Sequence, residues 1–445
     1  MKPLSLPLLL LLLLPLPPFT HSTPDYLKLP LLHRNPLPSL SSDSLRLSFL
    51  HNHHHHRNTT PTLPLSSGAS TGSGQYFLHL LLGSPPQPTL LVADTGSDLV
   101  WVTCSPSTRH HNPIHAPPPS SPTFFPRLSS SFHPYHCFDP PCQLVPHPTH
   151  SPRCPRTPFH SPCHFNYSYA DGSTTSGFFS RETSSFNTTS GIQITHQPLS
   201  FGCAFNVSAS PSFNGAHGVM GLGRGPISLP SQLAPRFGNR FSYCLMDYTL
   251  SPTPTSYLVI GAGAGEGEST TMRYTPLLSN PLSPTFYYIA IESVYVGGVK
   301  LRISPSVWAV DEDGNGGAVV DSGTTLTFLA DEGYGKILTA FKRRVKLPRS
   351  DELTPGFDLC VNVSGVSRPS LPRMSFRLGG GSLFAPPPRN YFIDTADGVK
   401  CLALRPVGSA LGFSVIGNVM QQGFLFEFDK DRSRLGFSRR GCAIT

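Results

Sequence analysis

The sequence predicts a mainly β protein with two lobes, related by a pseudo-twofold axis and separated by a cleft. Short apolar or alternating runs rich in Val, Phe, Tyr and Thr recur between clusters of Gly, Pro and Ser, a pattern typical of strands joined by turns. A segment of the same design also occurs once in each half, and such a duplication predicts two equivalent units. At 445 residues the chain is longer than a single hydrophobic core typically supports. This length fits two lobes preceded by processed segments.

The beginning of the chain has the composition of processed leader segments. Residues 1–22 are predicted to be a secretory signal peptide, because Lys2 is followed by a leucine run and then by small polar residues. Residues 23–70 are rich in Pro, Ser, His and Leu without a sustained period and are predicted to be a propeptide. Regular structure is expected from about Gly74, and the lobes are predicted to cover residues 71–262 and 263–445.

Cysteine content and the lack of a membrane signal indicate an exported protein. The 10 cysteines form an even set that suits an oxidising compartment. No further apolar run is long enough to span a bilayer, so no membrane anchor is expected. We therefore predict secretion to the extracellular space or cell wall, with the vacuole or another endomembrane compartment as the alternative. Sequons that make candidate glycosylation sites occur at Asn58, Asn166, Asn187, Asn206 and Asn362.

Charge and motif content argue against nucleic acid, metal and cofactor binding. Charged residues are only 13% of the chain, and the net charge of +8 comes from scattered Lys and Arg, so no nucleic-acid partner is expected. The segment 311–316 resembles the start of a calcium loop, but Ser322 stands at the twelfth position, where such a loop requires a bidentate Glu. No paired C-x2-C spacing suits zinc. The sequence therefore predicts no metal and no cofactor.

The duplicated segment places an aspartate at the end of an apolar strand in each half. The residues Asp-Thr-Gly-Ser occupy Asp94–Ser97, and Asp-Ser-Gly-Thr occupies Asp321–Thr324. Further along each half, two apolar residues precede a glycine, at Val219–Gly221 and Val415–Gly417. One such segment could arise by chance in a turn. Two copies in matching contexts predict that the aspartates face each other across the pseudo-twofold axis.

These residue types suit a pair of catalytic carboxylates. A buried ionised carboxylate needs donors, which the backbone N–H groups and hydroxyls after each aspartate can supply, while the glycines allow close backbone approach. Two carboxylates that share a site do not readily both ionise, so one can take a proton from water while the other polarises a peptide carbonyl. The predicted catalytic residues are Asp94 and Asp321, and the predicted supporting residues are Thr95, Gly96, Ser97, Ser322, Gly323 and Thr324.

From about Gly74 to Ala443 the chain resembles the pepsin family of aspartic proteases, and within it the plant nepenthesin-like branch. The motifs that carry this resemblance lie in both halves, at Asp94–Trp101, Tyr169–Ser173, Gly221–Pro226, Phe241–Cys244, Asp321–Thr325 and Ile416–Asn418. The resemblance implies the bilobal pepsin-like fold, peptide-bond hydrolysis at acidic pH and polypeptide substrates. It also implies inhibition by pepstatin-like compounds and a monomeric protein.

The resemblance further implies a flap that closes over the substrate. Tyr169 stands at the position of the flap tyrosine, and Trp101 at the position of the tryptophan that hydrogen-bonds it. Ala170 occupies a position where the family usually has Gly, which alters the flap slightly but leaves the tyrosine in place.

Cysteine positions also follow the family in part. By resemblance to the family's C-terminal bridge, Cys360 is expected to pair with Cys401. Two further cysteines that the branch commonly carries shortly after the position of Cys104 are absent. If those two bond each other in relatives, five bridges survive here. Otherwise the pairing near Cys104 is rearranged.

We therefore predict an aspartic endopeptidase. The alternative is a catalytically inactive pepsin-fold binding or inhibitor protein, but such relatives typically lose part of the catalytic machinery, which is complete here. A structural cell-wall protein would explain the Pro and Ser content and none of the duplicated motifs.

Overall fold

The structure is a computed structural model that describes residues 27–33, 74–105, 124–147, 161–169, 173–187, 193–208, 216–247, 256–261, 272–350, 356–408, 412–440 and 442. The predicted signal peptide, the sequon at Asn58, residue Ala170 and the lobe boundary predicted at 262 and 263 lie outside these ranges. As predicted, the described chain is mainly β.

Among its described residues, the first half contributes strands and one short α-helix. Helix α1 spans Leu229–Phe237. The strands are β1 (Leu27–His33), β2 (Tyr76–Leu82), β3 (Gln87–Asp94), β4 (Trp101–Thr103), β5 (His133–Pro134), β6 (His164–Ser168), β7 (Thr174–Asn187), β8 (Gln193–Ser208), β9 (Gly218–Gly221), β10 (Arg240–Cys244) and β11 (Ser256–Ile260).

Where the structure describes the second half, it has more, shorter strands than the first and two α-helices, α2 (Asp331–Arg344) and α3 (Asn418–Gln421). Its strands are β12 (Arg273–Leu278), β13 (Tyr288–Ile289), β14 (Ile291–Val296), β15 (Val299–Lys300), β16 (Ala318–Val320), β17 (Thr327–Leu329), β18 (Cys360–Asn362), β19 (Met374–Leu378), β20 (Leu383–Phe384), β21 (Phe392–Ala396), β22 (Val399–Leu402), β23 (Leu404–Pro406), β24 (Ser414–Ile416), β25 (Leu425–Asp429) and β26 (Arg434–Ser438). Short 3-10 helices span Pro126–Leu128, Pro140–Leu144, Pro305–Trp308, Gly379–Gly381 and Pro388–Asn390.

Each lobe holds its aspartate in the same arrangement of strands. In the first lobe β3 runs parallel to β9, with Asp94 opposite Gly221, while β4 runs parallel to β8 and antiparallel to β9. In the second lobe β16 runs parallel to β24, with Val320 opposite Ile416, while β17 runs parallel to β23 and antiparallel to β24. This repeated topology matches the predicted pseudo-twofold relation of the lobes.

One antiparallel sheet belongs to both lobes, with the strand order β1-β11-β10-β25-β26-β12. Its pairing of β10 with β25 joins the lobes, and Tyr243 lies opposite Phe426 there. Aromatic side chains pack together on one face of these two strands. The rings of Phe241 and Phe428 stack there with centroids 4.6 Å apart. Burial of such large rings is a major source of stability, so the shared sheet fixes the lobes against each other.

Strand β1 corrects the expectation that regular structure begins near Gly74. Leu27–His33 lies within the predicted propeptide, yet it pairs with β11 and, at its end, with β2. Leu29 and Leu31 are buried in the main core, so the period-2 alternation of leucines was a strand signal. Pro30 obscured that signal, although proline is compatible with an edge strand, where one N–H is not needed.

Disulfides fix several of these elements. Cys360 and Cys401 are bonded, as the resemblance implied, and lie opposite each other on β18 and β22. The other described bonds are Cys104–Cys203, Cys142–Cys163 and Cys244–Cys442, and Cys137 is also disulfide-bonded. No free cysteine occurs in the described ranges. Among the same residues, no helix is long and apolar enough to cross a membrane.

Candidate active site

The two aspartates lie at equivalent strand ends and receive equivalent hydrogen bonds. Asp94 is 1% exposed and Asp321 is 2% exposed. The Gly96 backbone N–H donates to Asp94 Oδ1 at 2.9 Å, and the Gly323 N–H donates to Asp321 Oδ1 at 2.9 Å. The second carboxylate oxygens accept from the hydroxyls of Ser97 and Thr324, both at 2.6 Å. Each buried carboxyl group therefore has a hydrogen-bond donor for each of its two oxygens.

Thr95 and Ser322 bring the two aspartate loops together by reciprocal hydrogen bonds. The Ser322 N–H donates to Thr95 Oγ1 at 2.8 Å, and the Thr95 N–H donates to Ser322 Oγ at 3.1 Å. Thr95 Oγ1 also lies 3.4 Å from Asp321 Oδ1. Because these bonds cross between lobes, they hold the two aspartate loops against each other.

The predicted flap tyrosine lies at the end of the hairpin formed by β6 and β7. The Tyr169 N–H donates to the Ser173 carbonyl at 2.8 Å, which closes the hairpin end. Trp101 Nε1 donates to the Tyr169 hydroxyl, and Tyr169 is 7% exposed. Trp101 therefore holds the side chain of Tyr169 at the end of this hairpin.

Side-chain amides support the second aspartate loop, and sequence reasoning assigned them no role. Gln421 Nε2 donates to the Asp321 carbonyl at 3.1 Å and to the Ile416 carbonyl at 2.8 Å. The Tyr243 hydroxyl donates to Gln421 Oε1, and burial raises the pKa of Tyr243 well above its ordinary value. Asn418 Nδ2 donates to the Ser322 carbonyl at 3.0 Å. Asn418 belongs to the Ile416–Asn418 motif that carries the family resemblance, whereas only the position of Gln421 shortly after that motif could have indicated it.

A carboxylate supports the first loop. Asp98 follows Ser97 directly and accepts from the Gly225 N–H at 2.8 Å and from Thr285 Oγ1 at 2.7 Å. Burial raises the pKa of Asp98, although both hydrogen bonds act in the opposite direction. Asp98 belongs to the motif that carries the family resemblance, but Thr285 in the other lobe could not be found from sequence spacing.

Three of the candidate glycosylation asparagines are exposed. Asn166 and Asn206 are exposed on β6 and β8, Asn362 is exposed on β18, and Asn187 ends β7. Within the described part of the chain, no group of three or more His, Cys, Asp or Glu side chains is arranged to hold a metal ion.

Comparison with known proteins extends the pattern over both halves of the chain. The family model described as xylanase inhibitor N-terminal matches residues 76–262, and the one described as xylanase inhibitor C-terminal matches residues 286–439. Aspartic proteinase nepenthesin-1 of Nepenthes gracilis is 37% identical over 376 residues, covering 84% of this chain and 79% of that protein. Aspartyl protease family protein 2 of Arabidopsis thaliana is 36% identical over 382 residues, covering 85% and 73%.

Solved structures share the fold at lower sequence identity. The crystal structure of edgp has a TM-score of 0.68 and 21% identity, covering 95% of this chain and 97% of that one. Basic 7S globulin from soybean has a TM-score of 0.63 and 19% identity, covering 94% and 97%. These likenesses concern the fold alone. With family models matching both lobes and aspartic proteinases similar over most of its length, this chain belongs to the pepsin-like family of aspartic peptidases.

Proposed function

We propose that this protein is an aspartic endopeptidase that hydrolyses peptide bonds at acidic pH with Asp94 and Asp321 as its catalytic pair. The observation that carries the proposal is the matched set of donors on two buried carboxylates whose loops are bonded to each other across the lobes. A single buried aspartate could be structural. Two with identical contacts, joined by the Thr95 and Ser322 bonds, suit a shared water.

The reaction follows from one charged and one protonated carboxyl. The charged carboxylate takes a proton from water, and the water oxygen attacks the peptide carbonyl carbon. The protonated carboxyl gives its proton to the carbonyl oxygen, which forms a tetrahedral diol without a covalent bond to the enzyme. Return of a proton to the amide nitrogen then allows the carbon–nitrogen bond to break. Because the pair must hold one proton between them, activity should be bell-shaped with an acidic optimum.

The other site residues orient this pair and the substrate. We assign Gly96, Ser97, Gly323 and Thr324 the role of holding the carboxylates through the bonds described above, and Thr95 and Ser322 that of joining the loops. Tyr169 would cover the bound peptide, which excludes water and positions the scissile bond.

The substrates would be polypeptides, and pepstatin-like compounds would inhibit. We also propose entry into the secretory pathway and glycosylation at one or more of the exposed sequons. The disulfides support this route, since such bonds persist in oxidising compartments.

A second candidate is a binding or inhibitor protein without peptidase activity. Two observations favour it: the matching family models are described as xylanase inhibitor, and basic 7S globulin shares the fold. The complete pair of aspartate loops favours the peptidase.

Digestion of a denatured protein separates the two candidates. The purified protein, after exposure to acid to allow propeptide removal, is incubated with substrate from pH 2 to 8 with and without pepstatin, and products are identified by mass spectrometry. We expect cleavage in acid that pepstatin blocks. Absence of cleavage at every pH, or cleavage that pepstatin leaves unchanged, contradicts the proposal.

A further inference from the structure

We propose that Asp98 is a positioning residue that links the first aspartate loop to the second lobe through Thr285, and that it acts on the reaction through Ser97 rather than by touching substrate. We call this contact the Asp98–Thr285 link. Its effect on catalysis rests on the proposed function, whereas its effect on the geometry of the first loop does not.

The Asp98 carboxylate is enclosed by a glycine-rich loop of its own lobe. An added Cβ would lie 2.3 Å from Asp98 Oδ1 at Gly223 and 2.2 Å from Asp98 Oδ2 at Gly225, so the backbone passes directly over the carboxylate. The Gly225 N–H donates to Asp98, and the Gly223 N–H donates to the Ser97 carbonyl at 2.9 Å. Residues 97 and 98 therefore hold the same loop by main chain and side chain together.

The second lobe holds that loop from the other side. Thr285 donates its hydroxyl to Asp98, and its carbonyl accepts from the Arg224 N–H at 3.0 Å. The Arg224 side chain donates to the Leu278 carbonyl at 2.7 Å. The Tyr287 hydroxyl donates to the Leu222 carbonyl at 2.8 Å. The segment between β12 and β13 is thus bonded to residues 222–225 of the first lobe.

These contacts reach the catalytic carboxylate in one further step. The Leu222 N–H donates to the Asp94 carbonyl at 2.8 Å, and the Ser97 hydroxyl donates to the Asp94 carboxylate. A shift of the loop over Asp98 would therefore move two of the groups that hold Asp94. Thr325 stands at the corresponding place in the second half, so the second aspartate loop has no acidic residue at that position. Residues that hold the catalytic groups without touching the substrate commonly fix the geometry that catalysis needs.

The test removes the hydroxyl of Thr285 without changing side-chain shape. Thr285→Val deletes the donor to Asp98, and Thr285→Ser is the matched control that keeps it. Hydrogen exchange measured by mass spectrometry on peptides covering residues 218–226 reports the first lobe, although the substitution is in the second. We expect faster exchange there in the Val variant and near wild-type exchange in the Ser variant. In peptide cleavage we expect kcat to fall about tenfold in the Val variant with KM little changed.

Several outcomes would overturn the link. Unchanged exchange and unchanged kcat in Thr285→Val would do so, as would a Ser variant as impaired as the Val variant. If the wild type is inert, the proposed function fails while the exchange measurement still decides the link. If Thr285→Val does not fold, Thr285→Ala provides the second variant, because it removes the hydroxyl and leaves the Thr285 carbonyl position that accepts from the Arg224 N–H. Faster exchange at 218–226 supports the link there too, and wild-type exchange contradicts it.

Discussion

The two aspartate loops have the same inner contacts and different outer supports. In both, a glycine N–H and a hydroxyl hold the carboxylate at the same distances. Beyond these inner contacts, the first loop is held by the Asp98 carboxylate under a glycine-rich loop. The second loop is held by the neutral amides of Gln421 and Asn418. The inner contacts must match because both carboxylates need the same donors. The outer contacts only fix position, which two different sets of side chains can achieve.

The largest effect on peptide cleavage should come from replacing either of the two aspartates that the inner contacts hold. Asp94→Asn and Asp321→Asn should each reduce peptide cleavage by about 10²–10⁴-fold, since an amide can replace neither the base nor the proton donor. Asn is nearly isosteric, so native circular dichroism should persist and serve as the control. A folded variant that cleaves within about tenfold of wild type would contradict the assignment.

The hydrogen bond from Trp101 to the Tyr169 hydroxyl has no equivalent among the second-half residues described above. Removing that hydroxyl therefore tests whether the two lobes contribute differently to catalysis. Tyr169→Phe removes the bond from Trp101 and should lower kcat/KM about tenfold by loosening the flap over the substrate. Tyr135→Phe, which removes a hydroxyl paired with Ser200 elsewhere in the first lobe, is the matched control. Equal effects of the two substitutions on kcat/KM would argue against a flap role.

The amide support of the second loop should matter more for stability than for rate. Gln421→Leu leaves the buried carbonyls of Asp321 and Ile416 without this donor and should lower the free energy of unfolding by about 1–3 kcal/mol. Tyr243→Phe keeps both donated bonds and should cost less. Urea unfolding of both variants checks this order, and a Tyr243→Phe variant that is the less stable of the two would reverse it.

The smallest effect that we expect is on the pH dependence of the free energy of unfolding. Burial raises the folded-state pKa of Asp98, so the folded chain binds more protons and its stability should fall as pH rises from about 3.8 through the raised value. The groups that act on Asp98 are Thr285, the Gly225 N–H and Lys430, which lower its pKa, and Asp94, which raises it. The Asp98→Asn variant lacks this titrating group. Its free energy of unfolding should therefore increase relative to that of the wild type as the pH rises.

Denaturant unfolding of both proteins at several pH values between 3 and 7 measures the difference in slope. Asp394→Asn, in an exposed pair with Lys400, is the surface control and should show little change. Parallel curves for wild type and Asp98→Asn would show that the Asp98 carboxyl is not perturbed.

Sequence reasoning predicted the parts of this site that repeat or that follow a family motif. The aspartates, their glycines and their hydroxyls occupy a local pattern, so each could be named in advance. The Thr285 contact joins residues separated by 187 positions, and the Cys244–Cys442 bond spans 198, so only the folded topology brings either pair together. Strand β1 was missed for a different reason: its leucines alternate as a strand requires, but a proline and a low-complexity neighbourhood hid the pattern.

The sheet shared by both lobes also determines what would happen if the backbone were cut between them. The chain passes from β11 to β12 through residues 262–271, but the lobes are held by the pairing of β10 with β25 and by the bond between Cys244 and Cys442. Cleavage anywhere between Gly261 and Met272 would leave both contacts in place. The molecule could therefore persist as a two-chain protein, its halves separating only after reduction and unfolding.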